Sequence, residues 1–175
     1  MKIACVLDSG FEDSEFQTPY KGLRDAGHEV TVVGLQRGRE LTGKSGTVTT
    51  TSEASFDDVT PEQFDALFIP GGYSPDHLRA DERAVRFTAA FAVADKPILA
   101  VCHGPQLLSA ADAIRGRQLT AWQTIQDDLR RMGQDVVDEE VVVDGNLVTS
   151  RKPDDLEAFT RESLLLLQRV PTGAR

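Results

Sequence analysis

The sequence predicts an α/β fold built on a mostly parallel sheet. Short apolar runs alternate with segments whose apolar residues recur at helical spacing, an order typical of parallel strands joined by crossover helices. Several runs are apolar at consecutive positions, as expected for strands that are covered on both faces. The chain has 175 residues, of which 40% are hydrophobic, and it is predicted to form one domain over positions 1–175.

Six apolar runs are predicted as strands. They occupy residues 3–7, 30–33, 66–69, 98–101, 141–143 and 147–149. Asp144-Gly145-Asn146 is predicted as a hairpin turn between the last two strands. The segment 37–55, rich in Gly, Thr and Ser, is predicted as a small antiparallel hairpin outside the main sheet.

Apolar residues at helical spacing predict four helices. They precede Gly27, follow Asp81, follow Gly104 and begin at Pro153. Pro19 either kinks the first helix or marks its start with Thr18 as the cap.

Charge and cysteine content exclude several kinds of partner. The formal net charge is -9 and no cluster of Lys and Arg stands out, so no stable nucleic-acid complex is expected. The two cysteines are too few for a disulfide framework or a zinc site, so no metal is expected. No apolar run approaches the ~20 residues that span a bilayer. A cytoplasmic protein without a membrane partner is therefore predicted.

Three polar or glycine-containing motifs follow predicted strands. They are DSGFED at 8–13, PGG at 70–72 and CHG at 102–104. Ligands of open parallel sheets bind beyond the carboxyl ends of the strands. The three motifs are therefore expected to converge on one site.

Cys102 has two possible roles. It lies where a strand turns sharply into a helix, between the small residues Ala100 and Gly104, and the helix N-terminus would lower its pKa and favour a reactive thiolate. Alternatively it is a buried core residue, since free cysteine is among the most buried residue types. For Cys5, inside the first strand, the core interpretation is favoured.

The neighbours of Cys102 leave further alternatives open. His103 can pair with the sulfur only if the turn brings its ring back, and otherwise caps a helix or faces solvent. Its backbone N–H could hold an oxyanion with those of Gly71 and Gly72, although a Gly-Gly pair is often just a turn. Glu12 is either a solvated acid at a helix start or a protonated acid beside Cys102.

Taken together, several long stretches resemble the ThiJ/PfpI family, which includes the Parkinson-associated deglycase. They include GFEDSEFQ (10–17), FDALFIPGGYSPDHLRA (64–80), AVCHGPQLLSAADAIRGRQLTAWQ (100–123) and DEEVVVDGNLVTSRKPDDLE (138–157). The resemblance covers nearly the whole chain and is strong for bacterial deglycases and PfpI-like general stress proteins. It implies a flavodoxin-like three-layer α/β/α sandwich, like that of class I glutamine amidotransferases, with a nucleophile elbow after a central strand.

The resemblance also implies roles for individual residues. Cys102 matches the nucleophile, Glu12 the acid that hydrogen-bonds its sulfur, and His103 the histidine beside it. Asp76 falls where PfpI-like members place an acid, usually glutamate, that reaches this histidine from a neighbouring subunit; from its surroundings alone it belongs to an exposed polar turn. Trp122 matches a pocket wall, or else it simply packs. A homodimer or larger oligomer without a cofactor is implied.

The activity implied is a stress-response hydrolase that removes glyoxal or methylglyoxal adducts from protein side chains or nucleotides. Cys102 would attack the carbonyl carbon of the adduct, the amides of Gly72 and His103 would hold the oxyanion, and Glu12 or His103 would move protons. Three alternatives remain: a glutathione-independent glyoxalase, an intracellular cysteine peptidase, and a redox-sensing stress protein or chaperone without turnover.

Overall fold

A seven-stranded sheet forms the centre of the protein, for which a computed structural model describes residues 1–171. The strands are Lys2–Val6 (β1), Glu29–Gly34 (β2), Glu40–Thr42 (β3), Thr49–Thr51 (β4), Ala54–Ser55 (β5), Ala66–Ile69 (β6), Ile98–Val101 (β7), Gln118–Leu119 (β8), Asp135–Val136 (β9), Val141–Asp144 (β10) and Leu147–Ser150 (β11). The helices are Asp13–Asp25 (α1), Ser74–Arg79 (α2), Glu82–Val93 (α3), Gly104–Ala110 (α4), Gln123–Arg131 (α5) and Leu156–Arg169 (α6).

The sheet order confirms the predicted, mostly parallel architecture. The order is β10-β11-β7-β6-β1-β2-β5, and only the β10–β11 pair is antiparallel. The chain winds outward from β1 to β2 and β5, then crosses to β6 and β7 on the other side of β1. The loops after β1, β6 and β7 therefore lie side by side where the winding reverses, which is where such sheets bind ligands.

Helices cover both faces of the sheet and give it two separate apolar cores. One core contains Phe16 of α1 and Phe159 of α6 against the strands. The other contains Phe87 of α3, Leu107 of α4 and Leu129 of α5. Because side chains of a strand alternate between the faces, a central strand serves both cores and must be apolar throughout. This explains the continuous apolar runs and the three layers.

Two small sheets lie outside the main one. β3 and β4 form the antiparallel hairpin predicted in the segment 37–55, although β5 at its end joins the main sheet. β8 and β9 form a short parallel pair that the sequence did not indicate. The predicted hairpin turn is confirmed, since Asp144 pairs with Leu147 and Gly145 has a φ of 57°.

The helices differ from the predictions at three places. α1 begins at Asp13 and continues through Pro19, so Thr18 is not its cap. Burial of Phe16, Pro19 and Leu23 against the sheet outweighs the hydrogen bond that proline removes.

The other two differences concern α2 and α5. The 74–77 segment, predicted as a polar turn, begins α2, because Ser74, Pro75 and Leu78 are buried. α5 was not predicted, since its nine residues carry only two buried apolar side chains, Ile125 and Leu129. Within residues 1–171, no helix combines the length and apolar character needed to cross a membrane.

Candidate active site

Cys102 lies on a sharp turn between β7 and α4. Its φ is 62°, a left-handed conformation that costs a non-glycine residue roughly 1–2 kcal/mol. Its backbone N–H donates to the Ser150 carbonyl at 2.9 Å, and Gly104 lies so close to Ile69 that a larger residue would collide. The strand-to-helix turn therefore holds the thiol above the edge of the sheet, in the manner of a nucleophile elbow.

The turn brings the His103 ring back to the sulfur. Its Nδ1 lies 3.3 Å from Cys102 Sγ, although adjacent residues usually diverge. Burial lowers the pKa of His103, the Lys44 charge lowers it further, and Asp76 opposes these effects. His103 is therefore neutral at neutral pH and can accept a proton from the thiol when Nδ1 is the unprotonated nitrogen.

Glu15, rather than Glu12, is the acid beside Cys102. Its side chain is fully buried, and its carboxyl group lies against Gly71 and Cys102, leaving no room for a Cβ at Gly71. Neither carboxyl oxygen has a hydrogen-bond partner at ordinary geometry. Burial raises its pKa from 4.5 to about 8; the Cys102 contact counteracts this rise and the Glu12 charge adds to it.

The pKa of the Cys102 thiol is raised, contrary to the expected lowering. Burial is the largest cause, followed by the charge of Glu15, and both outweigh the backbone N–H groups of Gly72 and His103 that favour the thiolate. The charge of Glu15 raises the pKa of the Cys102 thiol only when that carboxyl is ionised. Below a pH of about 8, Glu15 is a neutral acid that does not repel an anionic sulfur and can offer it an O–H donor.

Glu12 lies directly before α1 and pairs with a lysine. Its Oε2 is 2.8 Å from Lys44 Nζ, and the Ser14 hydroxyl donates to its Oε1 at 3.4 Å. Although it lines the same pocket, its carboxylate is held by Lys44. The predicted hydrogen bond from Glu12 to the sulfur is therefore replaced by the contact of Glu15.

The two glycines after β6 fit closely around the site. Gly72 has a φ of 77° and pairs with Phe11 in an isolated bridge, so that a Cβ there would strike the backbone of 10–12. Its N–H faces the sulfur, whereas the N–H of Gly71 faces the carboxyl of Glu15. Of the two amides predicted for an oxyanion, that of Gly72 is the one directed at Cys102.

A small pocket of about 270 Å³ opens above the thiol. It is lined by Glu12, Glu15, Lys44, Gly72, Tyr73, Cys102, His103, Trp122 and Pro153. The Trp122 ring lies 6.3 Å from that of His103, inclined by 30°, and its backbone N–H donates to the Cys102 carbonyl at 2.9 Å. Residues 1–171 contain no cluster of three or more His, Cys, Asp or Glu side chains suited to a metal ion.

Asp76 lies outside this pocket, on α2. Its carboxylate is exposed and pairs with Arg79 of the same helix at 2.6 Å. It reaches His103 only through its charge, which raises the pKa of that histidine against the larger effects of burial and Lys44. Within one chain it makes no direct contact with the imidazole.

The sequence matches the model of the DJ-1/PfpI family over residues 1–165. The chain belongs to the DJ-1/PfpI family. It is 54% identical over 169 residues to General stress protein 18 of Bacillus subtilis, covering 96% of this chain and 98% of that protein. It is 53% identical over 167 residues to Protein/nucleic acid deglycase 2 of Escherichia coli, covering 95% and 97%.

Solved structures of the DJ-1/PfpI family share the fold. A two-domain protein of Anabaena variabilis, which contains DJ-1/ThiJ/PfpI-like and ferritin-like domains, superposes with a TM-score of 0.92 at 39% identity. The match covers 99% of this chain and 50% of the other. The likeness thus includes every element that positions the pocket.

Glu15 is one residue of this DJ-1/PfpI site that sequence reasoning missed. The motif FEDSEF carries two glutamates three positions apart, and such residues lie on the same side of a helix. The choice between them depends on where α1 begins. Since α1 begins at Asp13, Glu12 precedes the first turn and Glu15 points from it into the site.

Proposed function

We propose that this DJ-1/PfpI protein is a cysteine-dependent hydrolase that removes glyoxal and methylglyoxal adducts from side chains or nucleotides. The observation that carries the proposal is the 3.3 Å contact between Cys102 Sγ and His103 Nδ1, at the base of a small pocket. A buried carboxylic acid on the other side of the sulfur supports it. Relatives named as a deglycase and a general stress protein agree with this assignment.

The chemistry begins with transfer of the adduct to the enzyme. For a methylglyoxal hemithioacetal, Cys102 Sγ attacks the aldehyde-derived carbon, C1, while its proton passes to His103 Nδ1. The bond from C1 to the original thiol breaks, and that thiol leaves with a proton. Cys102 then carries the hemithioacetal of methylglyoxal.

The remaining steps need water but no oxidant. A proton moves from C1 to C2 through an enediol, so that C1 is oxidised to a thioester while C2 is reduced to an alcohol. Glu15 and His103 are the titratable groups against the sulfur that can carry this proton. Water then attacks the thioester and releases lactate and the Cys102 thiol; a glyoxal adduct gives glycolate.

The backbone around the sulfur suits the negative charge that develops on oxygen. The N–H groups of Gly72 and His103 both face Cys102, and they are fixed by the turns that follow β6 and β7. Such preorganised donors stabilise an oxyanion without reorganising as it forms. Trp122 gives the pocket a flat wall beside the His103 ring.

The size of the pocket favours a small substrate over an extended peptide. A volume of about 270 Å³ is at the low end for ligand sites and suits a two- or three-carbon dicarbonyl with the end of one side chain. A peptidase needs a groove that accommodates several residues of an extended strand. Cysteine peptidase activity is accordingly the weaker candidate.

Self-association is part of the same proposal. Tyr73 is 63% exposed at the pocket rim, and Asp76 follows it on the surface. In a dimer or larger oligomer that joined these surfaces, Asp76 of one chain would reach His103 of the next and keep its imidazole oriented.

The test compares the wild type with Cys102→Ser on three substrates: a preformed hemithioacetal with free aldehyde trapped, free methylglyoxal, and a fluorogenic peptide. We expect the wild type to release lactate from the trapped adduct and Cys102→Ser to be slower by about 1,000-fold or more. Cys5→Ala, which removes the other thiol, serves as the control and should retain activity.

The same experiment separates the rival activities. Turnover of free methylglyoxal without turnover of the trapped adduct would replace the deglycase assignment with a glyoxalase. Cleavage of the peptide alone would replace it with a peptidase. Full activity of Cys102→Ser on the adduct would overturn the assignment of Cys102 as the nucleophile.

A further inference from the structure

The loop between β3 and β4 lies on the first turn of α1. Asp13, in that turn, is buried and accepts hydrogen bonds from the N–H groups of Ser45, Thr47 and Val48 and from the Thr47 hydroxyl, at 2.8 to 3.0 Å. The N–H of Lys44 donates to the Phe11 carbonyl at 2.8 Å. One carboxylate therefore holds the whole loop 43–48.

This attachment is tight and permanently charged near neutral pH. Gly43 packs so closely on the Asp13 carboxyl that a Cβ would overlap it. Burial would raise the pKa of Asp13, but the hydrogen bonds from Ser45, Val48 and Thr47 outweigh burial and hold it well below its usual range. The anion that binds the loop thus persists throughout the pH range in which the site would act.

The attached loop carries Lys44 to the rim of the pocket. Its Nζ lies 2.8 Å from Glu12 Oε2, and its side chain is 44% exposed. The titratable groups that face Lys44 are Glu12, Glu15 and Cys102. On the other side of the thiol, His103 faces Lys44 and Asp76.

We propose that Asp13 is a positioning residue that holds Lys44 over the pocket through the 43–48 loop, and that Lys44 sets the pH range in which Cys102 reacts. The proposal rests on the proposed function only in taking Cys102 as the reactive group. Asp13 touches neither the thiol nor the pocket, so its effect must pass through Lys44.

The sign of the effect follows from the charge of Lys44. The hydrogen bond to Glu12 raises the pKa of Lys44, which keeps it cationic. That charge lowers the pKa of His103, after the larger effect of burial. It also lowers the pKa of Glu15, against burial and against the Glu12 charge. Loss of Lys44 therefore raises both pKa values, so that His103 becomes a neutral proton acceptor, and Glu15 an anion, only at higher pH.

The first test measures the alkylation rate of Cys102 by iodoacetamide as a function of pH, which requires no substrate. In Lys44→Met we expect the whole profile to move to higher pH by about half a unit or more, because both groups that flank the thiol titrate later. Lys44→Arg restores the charge and should restore the profile. Lys21→Met is the matched control, since Lys21 is exposed on α1 and pairs with Asp25. An unshifted profile in Lys44→Met would overturn the proposal.

The second test separates positioning from general stabilisation. Asp13→Asn replaces one accepting oxygen with a donor, so it should shift the profile in the same direction as Lys44→Met and add nothing further in the Lys44→Met background. Asp58→Asn is the matched control, because Asp58 also accepts local loop hydrogen bonds, from Ser55, away from the pocket. If Asp13→Asn does not fold, Gly43→Ala displaces the loop from the same carboxylate and should give the same shift.

The outcomes distinguish a failure of this proposal from a failure of the proposed function. A drop in unfolding temperature with an unchanged profile in both loop variants would reduce Asp13 to a structural role. A shift that is additive with Lys44→Met would mean that Asp13 acts by another route. The absence of lactate release in the wild type would overturn the deglycase assignment and leave the alkylation profiles, and hence this inference, standing.

Discussion

The two cysteines of this protein are both buried, yet only Cys102 has groups beside it that can donate or accept a proton. Cys5 is 0% exposed within β1, and Cys102 is 6% exposed directly after β7. Burial raises the pKa of both thiols. The difference lies in what surrounds them, since Cys102 has a histidine nitrogen, a buried acid and backbone N–H groups within reach and opens on a pocket.

The comparison shows that a candidate nucleophile is recognised by its neighbours rather than by a low thiol pKa. Desolvation alone makes a thiol inert, as expected for Cys5. At Cys102 the same desolvation is combined with a proton acceptor and a donor, so the anion need exist only as the reaction proceeds.

The largest expected difference between the two cysteines is in their rates of alkylation. We expect iodoacetamide to modify Cys102 at least about 1,000-fold faster than Cys5 near neutral pH, because access to Cys5 requires opening of a central strand of the sheet. Mass spectrometry of the digested protein measures both sites in one sample. Comparable rates would mean that the surroundings of Cys102 give it no advantage.

The next effect concerns stability, and it arises from Glu15. A carboxyl whose pKa rises from 4.5 unfolded to about 8 folded stabilises the protein fully at low pH, and this contribution is lost as the pH rises through that interval. We expect Glu15→Gln, which does not titrate, to gain about 4 kcal/mol relative to the wild type between about pH 5 and pH 8.5. Urea unfolding at several pH values measures this gain.

The control for this measurement is Glu139→Gln, on an exposed loop. Its free energy of unfolding should follow that of the wild type across the same pH range. If the Glu15→Gln and wild-type curves were parallel instead, the carboxyl would not be held in its neutral form by burial.

A smaller contrast is expected from glycine substitutions at the two cysteines. Cys5→Gly leaves a cavity and a flexible residue in a regular strand and should cost about 3 kcal/mol. Cys102→Gly loses contacts too, but it relieves the left-handed backbone at φ 62° and should cost less than about 1 kcal/mol. Denaturant melts compare them. Equal costs would show that the elbow stores no strain.

Much of the fold could be predicted from the sequence because it is encoded locally. The apolar runs that form β6 and β7 have the predicted bounds, 66–69 and 98–101. A strand that is buried on both faces is apolar at every position, so its ends coincide with the ends of the apolar run. By contrast, α5 and the β8–β9 pair depend on contacts between distant segments. The alternative in which Pro19 starts the first helix was wrong for the same reason, because packing on the sheet overrides the local preference of proline.

The site was predicted in outline, although the structure places Glu15 rather than Glu12 against the Cys102 sulfur. Convergence of the three motifs followed from the rule for strand ends, and the DSGFED, PGG and CHG segments do meet around Cys102. The choice between Glu12 and Glu15 depended on the first residue of α1, which sequence patterns place only to within a few positions. The position of the Lys44 loop could not be predicted from the sequence, because it depends on the carboxylate of Asp13, 31 residues away (44 − 13).

The most direct test of the account is the alkylation rate of Cys102 against pH in the wild type and in Glu15→Gln. Both rates should rise with pH, and the wild-type curve should flatten near pH 8, where Glu15 ionises and its charge raises the pKa of the adjacent thiol. The Glu15→Gln curve should continue to rise through this point. Two curves of the same shape would contradict the account, because the neutral acid beside the sulfur would then have no influence on it.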